Sequence, residues 1–396
     1  MANSLQQIAA VTALNIRSVP SRLGSSLVIV IGIAGVVGVM VALLSMARGF
    51  QATLASTGRP DRAIILRGGS NDELGSVMFR DKAIIIKQTQ GIKMGADGQP
   101  LVIAEKYLLT SVPRTGSTEP TNVVVRGTED RVLQVRPEVK LVEGRMFKPG
   151  VYEIIVGRTA VGQFANLHLG NKVAIRNGDW TVVGIFTSGG DVHESELWAD
   201  RETLMAAAKS PVMASVTAQL ESAAAFPAFK DALTTDPRLT VKVQREPEYY
   251  ASRSEALNTL INVLGYTVAI IMAVGAVFGA LNTMYAAVSA RTVEIGTLRA
   301  IGFSGVPLVI SVMLEALVLA LAGGVLGAAL AYVVFNGYTV STLNFQTFSQ
   351  VAFDFRVTPD LLVQGIVWAC AIGLIGGLFP AVRAARLPIV DALRSA

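Results

Sequence analysis

Cysteine and histidine are scarce in this sequence of 396 residues, which contains one cysteine, Cys370, and two histidines. One cysteine cannot form a disulfide within the chain, so each domain must be held together by its own apolar core. A zinc site needs several cysteine or histidine ligands at short spacings, and neither His168 nor His193 has such a neighbour. His193 stands among acidic residues in the segment 191–200, DVHESELWAD, which we interpret as an exposed acidic turn. We therefore predict no metal site.

Charged residues are also few. They make up 16% of the chain, against about a quarter of an ordinary soluble domain, and the mean hydropathy is +0.51. The depletion is concentrated in four stretches, each long enough to supply the roughly 20 apolar residues that cross a bilayer. The segment between the first two stretches, residues 48–255, is polar and nearly neutral. We predict a multi-pass membrane protein with one large water-exposed domain, and we do not take the net charge of +5 as a sign of nucleic-acid binding.

Catalytic signatures are missing as well. The sequence contains neither H-E-x-x-H nor G-x-x-x-x-G-K-[ST], the loop that holds nucleotide phosphates. The segment GFSGV, residues 302–306, ends in valine where a nucleophile elbow requires glycine. We predict that this chain is not an enzyme and holds no cofactor itself.

The predicted fold is an α-helical membrane protein with four transmembrane helices and a large α+β extracytoplasmic domain of two subdomains between helices 1 and 2. We interpret the first apolar stretch as an uncleaved signal anchor, because it exceeds the h-region of a signal peptide. An amphipathic helix is predicted ahead of it. The predicted segments, in chain order, are the N-terminal interfacial helix (1–22), the first span with its stalk (23–57), the outer domain (58–246), a second stalk and span (247–290), a short loop (291–305), the third span (306–335), a short outer loop (336–360), the fourth span (361–382) and the tail (383–396).

Arginines beside the spans orient the chain through the positive-inside rule. They occur in the N-terminal tail, in the 291–302 loop and in the C-terminal tail, which four spans place on one side. We predict that these regions are cytoplasmic, that the protein lies in the cytoplasmic (inner) membrane, and that the outer domain is extracytoplasmic. No proline occurs from Glu248 to Ala290. A continuous helix of that length exceeds the hydrocarbon core of about 30 Å, so the excess is predicted to project outward as a stalk.

The outer domain is predicted to be mostly β-structure. Short β-branched runs predict strands at 62–68, 83–88, 122–127 and 153–158. The segment 172–186 predicts a hairpin whose turn is Asn177-Gly178. A strand, a helix and a second strand are predicted to follow, at 214–220, 223–233 and 239–246.

Small residues recur in the spans, where they let helix backbones approach closely. The predicted packing glycines are Gly32, Gly35, Gly275, Gly279, Gly323 and Gly327. Packing within the chain explains most of them, and a homodimer contact remains an alternative for some. Glu315 is ionisable and lies inside the third span. It is either a coupling residue or a carboxylate hydrogen-bonded to a neighbouring helix or to the charged loop.

The stretch RTVEIGTLRAIG, residues 291–302, interrupts two apolar runs with the charged residues Arg291, Glu294 and Arg299. Four apolar residues are interspersed among them, namely Val293, Ile295, Leu298 and Ile301. We predict a short helix that rests its apolar side on the membrane surface and offers Glu294 and Arg299 to a partner. Flanking charge of the ordinary positive-inside kind explains the arginines but not Glu294.

The stretch ARTVEIGTLRAIGFSGVPLVISVMLEALVLALAGGVLGAAL, residues 290–330, resembles the signature of the FtsX-like permease family. The ending GLFPAVRAARLPIVDALRS resembles the end of that family, and GRMF, EIIVG, TVVGIF and ESELWAD resemble the MacB-like extracytoplasmic core domain. The resemblance extends over nearly the whole chain. It identifies the sequence as similar to ABC transporter permeases of type VII, which work by mechanotransmission.

This resemblance implies a homodimer and a cytoplasmic ABC ATPase that binds ATP and magnesium and contacts the loop after the second span. Carried over to this sequence, the ATPase-coupling residues are Arg291, Glu294, Gly296, Leu298, Arg299 and Gly302. MacB-type members fuse the ATPase ahead of the first span, where this sequence has only residues 1–22. We therefore expect the ATPase on a separate chain.

The function expected from the resemblance is efflux or export, with a periplasmic adaptor and an outer-membrane channel as further partners. Two alternatives stay open. One is a signalling or scaffold subunit that activates a cell-wall hydrolase, and the other is a lipoprotein-releasing permease.

Overall fold

A computed structural model of the chain describes residues 11–12, 23–117, 119–344 and 349–394. Apart from residues 11 and 12, the predicted N-terminal helix lies outside the described residues. The chain divides into two compact units. The helical unit falls within Met1–Gly49, Thr259–Tyr338 and Phe355–Ala396, and the sheet unit comprises Phe50–Asn258 and Thr339–Asp354.

Four helices among the described residues are long and apolar enough to cross a membrane, which confirms the predicted number of spans. In chain order these membrane helices are Leu23–Ser56, Glu246–Ala290, Gly305–Phe335 and Pro359–Arg386. The second is helical without interruption from the predicted stalk to the end of the span. Two short helices belong to the same unit, Thr292–Ala300 after the second membrane helix and Ile389–Arg394 after the fourth.

The third and fourth membrane helices pack through small residues. A methyl group added at Gly324 would lie 2.7 Å from Ala369 Cβ, and one added at Gly377 would lie 2.7 Å from Ala316 Cβ. Real side chains do not approach this closely, so these positions require glycine. The glycines permit close backbone contact, which is the main source of helix association where water is absent.

The sheet unit is built on ten strands. They are β1 Arg62–Arg67, β2 Val102–Pro113, β3 Pro120–Thr128, β4 Lys140–Gly144, β5 Glu153–Gly157, β6 Lys172–Ile175, β7 Gly178–Thr187, β8 Glu196–Asp200, β9 Ser215–Gln219 and β10 Val241–Arg245. Their spatial order is β10-β1-β9-β2-β3-β8-β5-β7-β4, and β6 pairs with β7 beside this path. The helices of this part of the chain are Arg80–Lys87, Val132–Val135, Arg158–Gln163, Arg201–Ala207 and Phe226–Thr235.

The long strand β2 belongs to both halves of the sheet. Residues 102–105 pair with β9, whereas residues 106–113 pair with β3. Each half has its own apolar core: Phe229 and Leu233 belong to the first, and Trp180 and Leu197 to the second. The two predicted subdomains are therefore two halves of one sheet.

The predicted strand at 83–88 is wrong, because Arg80–Lys87 forms a helix. Its three consecutive isoleucines favour a strand by propensity. However, Ala83 and Ile86, three residues apart, are both buried against the first core, while Ile84 is 49% exposed. Burial at helical spacing outweighs the local β preference here.

The predicted hairpin at 172–186 is confirmed, but its turn is shifted by one residue. Ile175 pairs with Gly178, so the two turn residues are Arg176 and Asn177. Arg176 has a φ of 55°, in the left-handed region that such a turn requires. Gly178 is the first residue of β7.

The predicted outer loop at 336–360 contains a hairpin, β11 Thr339–Asn344 with β12 Ser349–Asp354, and this hairpin belongs to the sheet unit. The Ala352 backbone N–H donates to Ser195 Oγ at 3.2 Å. The ring of Phe353 meets that of Phe50 edge to face, with centroids 5.4 Å apart.

The segment 191–200 is buried throughout, so the expectation of an exposed acidic turn is wrong. Its acidic side chains accept hydrogen bonds. Asp191 caps the turn Val192–Ser195 by accepting from the His193 N–H at 2.9 Å, and Glu194 accepts from the Ser188 N–H at 2.8 Å. Burial alone raises the pKa of Asp191, but His193 and the Ser188 hydroxyl outweigh it and hold that pKa below its usual value.

Candidate functional site

The charged stretch singled out in the sequence forms the helix Thr292–Ala300, one residue after the second membrane helix ends. Glu294 lies in its first turn and Arg299 in its last, so each charge complements the helix dipole. Gly302 ends the helix with a φ of +103°. Its N–H donates to the Arg299 carbonyl and the Phe303 N–H to the Leu298 carbonyl, both at 3.1 Å, which is the Schellman pattern. Gly302 is therefore required by the backbone.

Arg291, at the start of this helix, is tied to the third membrane helix. Its Nη1 lies 3.1 Å from Glu315 Oε2, and the two side chains are only 9% and 7% exposed. Glu315 thus hydrogen-bonds to the charged stretch. A buried carboxylate among apolar neighbours needs such a partner, because an isolated charge there is costly.

The other end of the short helix is tied to the C-terminal segment. The Arg299 guanidinium donates to the backbone carbonyl of Leu387. Gly296 packs directly against Ala392 of the helix Ile389–Arg394, and a methyl group added at Gly296 would lie 2.8 Å from Ala392 Cβ. Gly296 is therefore a packing residue between two short helices.

The predicted apolar side of the helix is divided in the structure. Ile295 is buried and Leu298 is half-buried, and both pack on the apolar core of the helical unit. Val293 and Ile301 are exposed, at 37% and 71%. The prediction that all four share one surface is wrong, since the buried pair faces the chain's own helices. Five exposed side chains of this stretch form what we call the open face, which consists of Val293, Glu294, Thr297, Ala300 and Ile301.

A cavity of about 30 Å³ lies beside the short helix. Arg291, Glu294 and Glu315 line it together with apolar residues that include Leu298 and Val312. The site therefore combines one exposed carboxylate, one buried ion pair and an apolar depression.

The six predicted packing glycines separate into two groups. Gly323 and Gly327 of the third membrane helix lie against the first membrane helix: a methyl group at Gly323 would lie 2.8 Å from the Val30 carbonyl, and one at Gly327 would lie 2.9 Å from Ala34 Cα. The other four are exposed, and a methyl group at any of them would meet no described atom of the chain within 4 Å. These four are Gly32, Gly35, Gly275 and Gly279.

A buried ionic network in the sheet unit was not predicted. Arg126 donates to Glu196 and Glu73, and Arg136 to Glu246. Burial alone raises the pKa of Glu73, but Arg126 outweighs it and lowers that pKa to about 2. The partners lie far apart in the sequence, so no local spacing indicates the network. Among the described residues, no group of three or more histidine, cysteine and acidic side chains is placed to hold a metal ion.

Two family models cover most of the chain. The MacB-like periplasmic core domain matches residues 25–236, and the FtsX-like permease C-terminal domain matches residues 266–389. The first alone accounts for more than half of the sequence.

Named relatives agree with these matches. A macrolide export ATP-binding/permease protein MacB from Bdellovibrio bacteriovorus is 25% identical over 96% of this chain, which spans only 59% of that relative. The ABC transporter permease YknZ of Bacillus subtilis is 24% identical over 99% of this chain and 98% of its own length. The solved extracellular domain of a YknZ transporter from Gram-positive bacteria covers 46% of this chain, with 18% identity and a TM-score of 0.35. This chain belongs to the family of ABC transporter permeases of the MacB and FtsX type.

Proposed function

We propose that this permease couples ATP hydrolysis by a cytoplasmic ABC ATPase on a separate chain to a conformational change of its extracytoplasmic sheet unit. The ATPase partner binds the ATP and magnesium. The observation that carries this proposal is the helix Thr292–Ala300, which has one side fixed to its own chain and an open face that presents Glu294.

The anchoring of this helix supports a role in force transmission. A partner that pushes on the open face also displaces Arg291 and Arg299, and these residues are bonded to Glu315 and to the Leu387 carbonyl. A load on the short helix is thereby passed to the third membrane helix and to the segment after the fourth. Of the proposed coupling residues, Glu294 contacts the ATPase, while Arg291, Gly296, Leu298, Arg299 and Gly302 hold the helix in place.

We further propose that the protein acts as a homodimer. Gly32 and Gly35 lie on the first membrane helix and Gly275 and Gly279 on the second, and no described atom lies within 4 Å of a methyl group placed at any of them. Small residues on a membrane helix allow a second helix to approach closely. A second copy of this chain would pack against these four glycines. Gly323 and Gly327 are not available for such a contact, because they already pack against the first membrane helix.

We propose that this movement drives export. The proposed further partners are a periplasmic adaptor and an outer-membrane channel, and both termini are proposed to lie in the cytoplasm. The name of the Bdellovibrio relative, a macrolide export protein, supports export over signalling or lipoprotein release. In this arrangement the protein lies in the inner membrane and the sheet unit on the outer side.

Gentle extraction of the tagged protein from its native membrane, followed by mass spectrometry of the co-eluting proteins, tests this proposal. A stoichiometric ATPase with a P-loop is expected, together with an adaptor. A cell-wall hydrolase in place of the adaptor would favour the signalling alternative. Failure to recover any ATPase after cross-linking would contradict the coupling proposal itself.

A further inference from the structure

A second cavity, also of about 30 Å³, lies within the sheet unit. Charged residues on its wall include Arg126, Glu196 and Arg253, and apolar residues include Leu54, Val192 and Val351. The space is small: a water molecule needs roughly 10–15 Å³ on this measure. The cavity therefore accommodates a group of a few non-hydrogen atoms with one polar and one apolar side.

The two arginines of this cavity differ in their partners. Arg126 donates from Nε and Nη2 to the two oxygens of Glu196, at 2.7 and 2.9 Å. In Arg253 the same two atoms, Nε and Nη2, are buried and have no hydrogen-bond partner in the part of the chain that the structure describes. The whole residue is only 6% exposed. Arg253 thus presents, within a cavity, the same pair of donors that Arg126 uses to bind a carboxylate.

Burial of these donors is costly unless something accepts from them, because a guanidinium gives up strong hydration on leaving water. The Tyr249 ring offsets part of the cost, since Arg253 Cζ lies 4.8 Å from the ring centroid. That contact supplies no oxygen acceptor, so Nε and Nη2 still have no hydrogen-bond partner among the described residues. Nε and Nη2 are therefore able to donate to an acceptor that enters the cavity, where Gln350 Oε1 is a second buried polar atom with no partner among the described residues.

The parallel donors of an arginine edge match the two oxygens of a carboxylate. A phosphate dianion is disfavoured relative to a carboxylate, because Glu196 and Glu73 beside Arg126 repel two negative charges more strongly than one. Leu54, Val192 and Val351 offer apolar contact to whatever carries the carboxylate. We propose that this cavity binds a carboxylate group on a short apolar stem, with Arg253 Nε and Nη2 donating to its two oxygens. The site is independent of the proposed export function.

The test is ligand-observed NMR on the full-length protein in detergent, with sodium butyrate and sodium acetate as probes and chloride and phosphate as competitors at equal ionic strength. We would also compare the binding of a short apolar peptide that has a free C-terminal carboxylate with that of the same peptide amidated. This comparison shows whether the carboxylate comes from a free acid or from a peptide end. Saturable binding of butyrate is expected. R253Q should weaken it at least about tenfold, because a charge-assisted pair is lost.

R253K keeps the charge but loses the paired donors, so it should also weaken binding. The matched control is R238Q, which removes an exposed arginine of the same unit that is paired with Asp236; it should leave binding unchanged. V351L narrows the cavity and leaves residue Arg253 in place, so it should reduce butyrate binding more than acetate binding. The proposal would be overturned if wild type and R253Q bound butyrate with equal affinity, or if chloride or phosphate competed as well as a carboxylate does. It would also be overturned if no carboxylate bound at all, which would mean that the cavity holds water only.

Discussion

Arg291 and Glu315 form an ion pair that joins the start of the short helix Thr292–Ala300 to the third membrane helix. Nη1 of the arginine lies 3.1 Å from Oε2 of the glutamate, and each side chain is more than nine-tenths buried. Through this pair, the position of a surface helix depends on the position of a helix within the membrane. The proposed coupling therefore has a specific physical link, which substitution can break.

Removing one partner of this pair should destabilise the helical unit. E315A removes the carboxylate that lies beside the buried Arg291 guanidinium, and losing one partner of a buried ion pair is destabilising, by up to about 3–5 kcal/mol. Thermal unfolding in detergent should show a clearly lower Tm. The double substitution R291M with E315M removes both charges at similar volume and should restore much of the loss. A double variant as unstable as E315A would contradict this account of the pair.

Reversing the charge on the open face should uncouple the ATPase without disturbing the fold. Glu294 is exposed, so E294K should leave expression and Tm near wild type while abolishing permease-stimulated ATP hydrolysis. The matched control is E143K, an exposed glutamate of the sheet unit that should leave hydrolysis unchanged. Stimulation that survives in E294K would show that this face does not contact the ATPase.

The substitution R299E should also abolish stimulated hydrolysis, but for a different reason. Arg299 is half-buried and donates to the Leu387 carbonyl. A glutamate at this position would place a second acceptor against that carbonyl, and the hydrogen bond would be lost. We expect R299E to lower the Tm as well as the stimulated rate. A variant that loses stimulation at wild-type Tm would instead place Arg299 in direct contact with the partner.

The glycines should separate by function. G327A forces a methyl group to within 2.9 Å of Ala34 Cα, so it should lower the Tm of the chain. G279L places its Cβ where no described atom of the chain lies within 4 Å, so it should leave that Tm near the wild-type value while weakening the homodimer. Cross-linking between copies through a cysteine at position 279, in a C370S background, measures the dimer directly. The control is V333C in the same C370S background, at an exposed residue of the third membrane helix. Equal cross-linking through positions 279 and 333 would contradict the proposed contact.

The sheet unit should lose stability in acid through Glu73. Its pKa is lowered from an ordinary value of 4.5 to about 2 in the folded protein. A group with a depressed pKa stabilises the fold above its unfolded pKa and loses that contribution as the pH falls through its folded pKa. Stability should therefore decline between about pH 4.5 and 2, as followed by the fluorescence of the buried Trp180 and Trp198. E73Q should be less stable at neutral pH and should show a shallower decline.

The sequence by itself determined the membrane architecture. A long uncharged helix has one favourable environment, so hydropathy and length were sufficient to predict four membrane helices and the polar domain between the first two. The position of the charged stretch 291–302 was likewise predictable, because charges between two membrane-spanning apolar runs are expected at a membrane surface. Its helix ends at Gly302 for a local reason, the positive φ that only glycine adopts readily.

The tertiary structure decided what depends on distant partners. The isoleucines of 83–88 form a helix because Ala83 and Ile86 face a core built from other elements. The acids of 191–200 are buried with donors from distant segments, since Arg126 donates to Glu196 and Thr159 donates to Glu194. Six glycines of similar sequence context separate into packed and open positions only when the neighbouring helices are in place. Glu315 meets Arg291, and Arg253 faces a cavity, across separations that no local pattern encodes. The physical reason is the same in each case: burial and pairing are properties of the assembled chain, whereas hydropathy and backbone preference belong to each segment alone.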